Sequence, residues 1–193
     1  RLLTHELGYF GNLRDWRATL DVRVFRERLD GYITTRQYQL PEPLRYTGTE
    51  VTDHVNTPGP RTSGVEYQWR WSPLPGTDVW LNQAFTDLKW AGRADSMPTR
   101  TSTLALFHQW PSRLRMGLLW TERSPISWSG VGEMPQRLQQ LDLHLSQPLR
   151  LGAHNARLAL TVRNLNGAQS LFESRFASPR SRRQAYASLH VDL

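Results

Sequence analysis

The residue types that most often carry chemistry are sparse in this chain. Six histidines occur, none with a partner four residues away, and there is no cysteine, so a helical or thiolate metal site is not indicated. Ser, His and Asp are present without the G-x-S-x-G turn that presents a nucleophilic serine. Gly130 and Gly132 form a lone pair, which a loop explains. The sequence therefore predicts no enzyme, no cofactor and no bound metal ion.

The charge of the chain is strongly basic. The formal net charge is +7, nearly all of it from arginine, and Lys89 is the only lysine. Such a charge can indicate nucleic-acid binding. Here the arginines are spread singly along the chain, and the one dense cluster comprises Arg175, Arg180, Arg182 and Arg183. We therefore expect no nucleic-acid partner.

The elements that must position these side chains are strands. The segment GVEYQWRW, residues 64–71, places Val65, Tyr67, Trp69 and Trp71 on one face and polar residues on the other, which is the period of two of a strand. Similar runs predict about nine strands, at 3–11, 20–24, 64–71, 79–88, 103–110, 113–120, 141–146, 158–163 and 188–193. No run approaches the roughly 18 apolar residues that a spanning helix needs.

The predicted connections alternate between short and long without exception. The short ones are 12–17, 72–78, 111–113 and 147–156, and the long ones are 34–63, 91–102, 121–137 and 166–183. Outer-membrane barrels have short periplasmic turns and long external loops, whereas a Greek-key sandwich has no reason for this alternation. Aromatic residues also gather near the predicted strand ends, as interfacial girdles do. They are Trp16, Trp71 and Trp110 at one end, and Trp90, Trp120, Trp128 and Tyr186 at the other.

Several stretches carry a family resemblance through their order and spacing. They are His5-Glu6-Leu7-Gly8-Tyr9, LDVRVF at 20–25, Asn56 followed by 63–66, residues 140–145 and 148–152, and ALTVRNL at 159–165. With them the chain resembles the C-terminal part of the β-barrel of TonB-dependent outer-membrane receptors, over most of its length. The fold expected is an all-β, antiparallel, up-and-down transmembrane barrel portion of about nine strands. Residues 1–193 would be its C-terminal part, with the plug domain and earlier strands absent.

The resemblance implies a function in the bacterial outer membrane. It implies uptake of a ferric siderophore or similar metal chelate, with lipid and lipopolysaccharide around the barrel and a TonB-type energising partner acting through the absent plug. Arginine-rich loops would attract an anionic chelate. The candidate ligand contacts are Tyr38, Arg45, Tyr46, Trp90, Arg93, Trp128, Arg175, Arg180, Arg182 and Arg183. Asp142 and His144 share the face opposite Leu141 and Leu143 and are expected to line the lumen as water-facing polar residues.

Two other readings stay open on the sequence. A soluble carbohydrate-binding β-sandwich would explain the aromatic content and the polar alternation, with exposed tryptophans as stacking platforms. A passive porin-like channel would share the strands but have no plug. Arginines facing outward could also bind the phosphates of lipopolysaccharide instead of a chelate.

Overall fold

The computed structural model describes residues 1–39, 50–90, 97–126, 137–167 and 183–192. In these ranges the chain forms eleven strands and one short 3-10 helix. The strands are β1 (Leu2–Leu13), β2 (Ala18–Leu29), β3 (Tyr32–Gln39), β4 (Glu50–Thr57), β5 (Arg61–Leu74), β6 (Thr77–Lys89), β7 (Arg100–Gln109), β8 (Arg115–Arg123), β9 (Leu138–Leu151), β10 (His154–Arg163) and β11 (Gln184–Val191). The 3-10 helix, Arg14–Trp16, lies in the turn between β1 and β2.

Nine of the strands form one antiparallel sheet in the order β1-β2-β5-β6-β7-β8-β9-β10-β11. These are the nine strands predicted from period-two alternation, so that prediction is confirmed. The remaining two, β3 and β4, pair only with each other and occupy the segment predicted as a long loop. The prediction missed this hairpin because its sequences, YITTRQYQ and EVTDHVNT, are polar on both faces and lack the alternation that a buried face produces.

The long and short connections sort onto opposite ends of the sheet, as predicted. The short turns follow β1, β5, β7 and β9, and the long connections follow β2, β6, β8 and β10. Gly76 forms one short turn with φ +75°, and a Cβ atom there would lie 2.7 Å from the backbone oxygen of Gln109. The ends of the strands thus lie at two opposite sides of the sheet, which we call the short-turn end and the long-loop end.

The sheet has one apolar and one polar face. Cross-strand pairing places Leu13, Ala18, Trp71, Val79, Leu106, Leu118, Leu143 and Val162 in a single row on the apolar face. The polar face carries Arg23, Glu66, Gln68, Asn82 and Asp142, and two hollows open on it. The sheet therefore curves toward its polar face.

The same row shows that the strands run obliquely. Leu13 is the last residue of β1 at the short-turn end, and Val162 is the next-to-last residue of β10 at the long-loop end. Val162 lies eight residues from His154 at the short-turn end of β10, so the two strands are offset by about eight residues over seven interstrand steps, or about 26 Å along the strands against about 34 Å across them. This corresponds to a tilt of roughly 40°, within the range of about 35–45° that membrane barrels adopt.

Five polar residues on the apolar face form one row and bond to one another. The row Tyr67, Gln83, Ser102, Glu122 and Gln139 crosses five neighbouring strands. The Tyr67 hydroxyl donates to the Gln83 Oε1 atom, and the Gln83 amide donates to the Ser102 hydroxyl over 3.1 Å. Because these groups bond to each other, they face an apolar surrounding at lower cost.

The described strands form a single layer. The apolar residues with the lowest exposure are Ala18, Phe25, Ala105 and Ala156, whereas large side chains such as Leu7 and Leu104 are exposed. A β-sandwich would bury one face of each sheet in a shared core. The described residues have no such core, so the apolar face is not covered by a second sheet of this part of the chain.

Candidate functional site

A hollow of about 650 Å³ lies at the long-loop end, between the β3–β4 hairpin and the ends of β5 and β6. It is lined by Tyr32, Thr34, Thr57, Pro58, Gly59, Arg61, Lys89 and Trp90. We call it the long-loop hollow. The hairpin missed by the sequence prediction supplies three of these eight residues, and two more lie in the connection that returns to β5. The other three lie at the start of β5 and at the end of β6.

A close approach of two backbone segments holds this part of the chain together. The backbone N–H of Leu29 donates to the Pro60 oxygen over 3.0 Å, and a Cβ atom at Gly59 would lie 2.4 Å from the Leu29 oxygen. Glycine is thus required at position 59. The Thr57 hydroxyl donates to the Tyr32 carbonyl over 3.3 Å, which fixes the base of the hairpin.

Aromatic and cationic side chains meet in the long-loop hollow. The rings of Tyr32 and Trp90 pack edge to face, with centroids 5.0 Å apart. Arg61 and Lys89 stand opposite each other on β5 and β6. The Lys89 ammonium lies 3.7 Å from Asp87, and no described carboxylate pairs with Arg61. Such a site suits an anion that carries flat, unsaturated groups, because cations attract the charge and rings stack on the groups.

The structure places three of the predicted ligand contacts. Trp90 lines the long-loop hollow. Tyr38 lies in β3 opposite Val51, 39% exposed and outside the hollow. Arg183 lies just before β11, and its guanidinium donates to the Leu165 carbonyl over 2.7 Å, closing the ends of β10 and β11. The other predicted contacts, Arg45, Tyr46, Arg93, Trp128, Arg175, Arg180 and Arg182, lie outside the described residues.

Sequence reasoning missed Tyr32, Arg61 and Lys89 as partners of Trp90. The predicted long loop, 34–63, contains Arg61, whereas Tyr32 falls just before it and Lys89 stands out in the sequence only as the single lysine. One signal was present: the pair Pro58-Gly59 marks a turn, and a turn in mid-loop implies that the chain returns toward its start.

The polar face carries an ion-pair cluster across the first three strands of the sheet, β1, β2 and β5. The Arg23 guanidinium lies 2.8 Å from the Glu66 carboxylate and 3.3 Å from that of Glu6. All three side chains are about half exposed, so water weakens these pairs. The cluster makes this surface hydrophilic, in contrast to the apolar row on the opposite face.

Asp142 and His144 lie on the polar face, as the alternation predicts. Both line a hollow of about 890 Å³. The Asp142 carboxylate accepts from the Asn164 backbone over 2.8 Å and from the Gln140 amide over 2.9 Å. The Nδ1 atom of His144 lies 2.9 Å from the Thr161 hydroxyl. Each residue is thus engaged by its neighbours in the sheet.

Two kinds of feature are absent from the described ranges. No three side chains of the His, Asp and Glu type come together there as a metal site. None of the helical segments there has the length and apolar character to cross a bilayer.

Tilted antiparallel strands in an up-and-down order, with two unlike faces and sorted loops, define a portion of a β-barrel of the transmembrane type. Solved structures of such barrels match it. The ferric-catecholate import receptor Fiu of E. coli K12 matches with a TM-score of 0.66 at 16% identity, over 99% of this chain and 27% of the receptor. BauA, the ferric preacinetobactin receptor of Acinetobacter baumannii, matches with a TM-score of 0.63 at 15% identity, over 97% of this chain and 29% of the receptor.

The resemblance predicted from the sequence is thus confirmed at the level of the fold. The chain spans less than a third of either receptor. No family model and no curated protein matches it in sequence.

Proposed function

We propose that this chain is part of an outer-membrane transporter that takes up a ferric siderophore or a similar metal chelate. The observation that carries the proposal is the long-loop hollow, in which Tyr32 and Trp90 lie beside Arg61 and Lys89. It opens at the long-loop end of a barrel fold that two ferric-chelate receptors share. Arg61 and Lys89 lie on the apolar face by their register, so the role proposed for this hollow is first capture at the outer rim, and passage is assigned to the polar interior of the barrel.

Barrel orientation supports this role. In outer-membrane barrels the long loops face outside, so the long-loop hollow faces the medium. A chelate whose catecholate or carboxylate groups leave it anionic is drawn toward Arg61 and Lys89. Flat ligand groups then pack against Trp90 and Tyr32. Tyr38, farther out on the hairpin, and the predicted loop arginines are proposed as secondary contacts.

The proposal includes a larger barrel around this chain. Within the described residues β1 and β11 each pair on one side only, and an open edge in hydrocarbon is very costly. We propose that the chain is the C-terminal part of a barrel that further strands complete. A plug inside it would occupy the polar face, and the energising partner of the TonB type would act through that plug.

Uptake under iron limitation tests the proposal. A strain deleted for the gene is grown with a ferric tris-catecholate or a ferric tris-hydroxamate as the iron source, and accumulation of radioactive iron is measured. We expect loss of accumulation with at least one of the two chelates and recovery on complementation. Unchanged accumulation of both, or recovery of the protein in the soluble fraction, would contradict the proposal.

The same strain separates transport from passive diffusion. A porin-like channel admits small neutral solutes without energy, whereas a gated receptor needs an energised inner membrane. Accumulation that persists after a protonophore is added would favour the channel. Accumulation that stops supports the receptor.

A further inference from the structure

Charged side chains on the apolar face are confined to one end of the sheet. In the nine-stranded sheet they are Arg26, Arg28, Arg61, Asp87, Lys89, Arg100 and Glu122. All lie in the long-loop part of their strands, and five of the seven are basic. Among the described strand residues, the short-turn part of this face has no Asp, Glu, Lys or Arg. The face is thus asymmetric along the membrane normal, with positive charge on one side.

At the long-loop end of the apolar face, two arginines form ion pairs with the carboxylate of Glu122. The Arg137 guanidinium lies 2.6 Å from the Glu122 Oε1 atom, and that of Arg100 bonds to the same atom. The Gln139 amide donates to the other oxygen over 3.2 Å. Glu122 is only 3% exposed, so both of its oxygens are used within the cluster.

The two arginines keep free donors. Their side chains are 44% and 51% exposed, and each guanidinium has five N–H donors, of which Glu122 takes only part. Trp120 lies two residues before Glu122 on the same face, so large apolar side chains begin one position farther along β8 on this face. The cluster thus presents forked donors where hydrocarbon gives way to headgroups.

We propose that Arg100 and Arg137, with Glu122 as the positioning residue between them, bind the phosphate groups of a phosphorylated glycolipid in the outer leaflet. The inference rests on the proposed function, because only an outer-membrane barrel meets this lipid. Guanidinium groups bind phosphate through two parallel hydrogen bonds. Glu122 fixes the angle of both guanidinium groups while leaving the cluster with a net positive charge. Arg26 and Arg28, farther around the same rim, extend the positive surface.

Lipid binding by the full-length receptor in detergent tests this site. The probes are a bisphosphorylated lipid A, its dephosphorylated form and phosphatidylglycerol. The variant Arg100→Gln with Arg137→Gln removes two charges and is expected to weaken lipid A binding by about 25-fold, since each charge near an anionic headgroup contributes about fivefold. The matched control, Arg115→Gln with Arg157→Gln, removes the same charge from the polar face and is expected to bind normally.

Three results would overturn the site. They are equal binding of lipid A with and without its phosphates, phosphatidylglycerol binding as tight as that of lipid A, and an equal loss in the control variant. The variant Arg100→Lys with Arg137→Lys keeps charge and folding but lacks the planar fork; we expect an intermediate affinity, and a normal one would refute bidentate binding.

Chelate uptake by the same variants separates this inference from the proposed function. Lipid A binding that depends on the two arginines, in a receptor that takes up no tested chelate, would leave the lipid site standing and overturn the transport role. If the receptor took up a chelate and the two arginines had no effect on lipid A binding, the transport role would stand and the lipid site would be overturned.

Discussion

Arg61 and Lys89 stand directly opposite each other across β5 and β6. Like charges in directly opposed positions of an antiparallel pair destabilise it. Arg28 of β2 is the other cross-strand neighbour of Arg61, so three cations follow one another across the sheet. The Arg28 guanidinium lies 2.6 Å from the Asp30 carboxylate and the Lys89 ammonium 3.7 Å from that of Asp87, so the remaining repulsion acts mainly on Arg61. An anion that enters the long-loop hollow relieves it.

This relationship predicts opposite effects on stability and binding. Replacing Arg61 and Lys89 together by Gln is expected to raise the unfolding midpoint slightly. It is also expected to weaken binding of an anionic ferric tris-catecholate by about 10- to 100-fold, since even one charge-assisted hydrogen bond contributes about 1.5–3 kcal/mol. Isothermal titration and urea unfolding in detergent measure the two quantities. The control is Arg115→Gln with Arg157→Gln, which removes the same charge from the hollow of about 890 Å³ on the polar face. If the chelate affinity were undiminished, the long-loop hollow would take no part in capture.

Trp90 supplies the aromatic half of the same hollow, and its replacement tests stacking. Trp90→Ala is expected to weaken chelate binding about three- to tenfold, and Trp90→Phe less, because an aromatic pair contributes about 0.5–1.5 kcal/mol. Trp90→Phe should also remove most of the tryptophan quenching that the bound ferric chelate causes. Trp16, 72% exposed in a short turn at the opposite end, gives the control variant Trp16→Phe. Equal quenching in both variants would place the chelate elsewhere.

The strands of the sheet could be predicted because each has two unlike faces. Leu118 and Leu143 alternate with Gly117 and His144 because one face meets an apolar environment and the other meets water. This requirement determines whether each residue along the strand is apolar or polar, with a period of two. The loop lengths then give the order and direction of the strands, and the nine-stranded sheet follows.

The candidate site was only partly predictable, for a physical reason. Trp90 directly follows a strand that the alternation predicts, so the sequence indicates where Trp90 lies in the sheet. Tyr32 reaches it only because the chain turns at Gly31 and returns at Gly59, and the hairpin between them has no buried face to impose a pattern. Arg183 was predicted as a ligand contact from its charge, yet its guanidinium bonds to the Leu165 carbonyl, a backbone contact that charge alone does not indicate.

Gly76 is predicted to be irreplaceable in the turn between β5 and β6. Its φ of +75° disfavours any side chain, and the Gln109 oxygen leaves no room for a Cβ atom. Gly76→Ala should therefore lower the free energy of unfolding by about 2–3 kcal/mol. Gly152 has φ +61° with open space around it, so Gly152→Ala should cost about 1 kcal/mol, the backbone strain alone. Equal losses would mean that the Gln109 contact relaxes freely. Urea unfolding of the two variants, side by side, measures the difference.

Leu118 and Leu119 are neighbours on β8 that point to opposite faces, so a single charge tests which face meets lipid. Leu118 lies between Leu106 and Leu143, and Leu119 between Ala105 and Asp142. Leu118→Arg should destabilise the barrel by about 2–4 kcal/mol, the cost of an arginine on the lipid face near the bilayer midplane. Leu119→Arg enters a polar surface beside the Asp142 carboxylate and should be tolerated. Heat-modifiable mobility on gels measures how much of each variant folds into the outer membrane. If Leu119→Arg were the variant that failed to fold, the two faces would be reversed, and Arg100 and Arg137 would then point into the barrel.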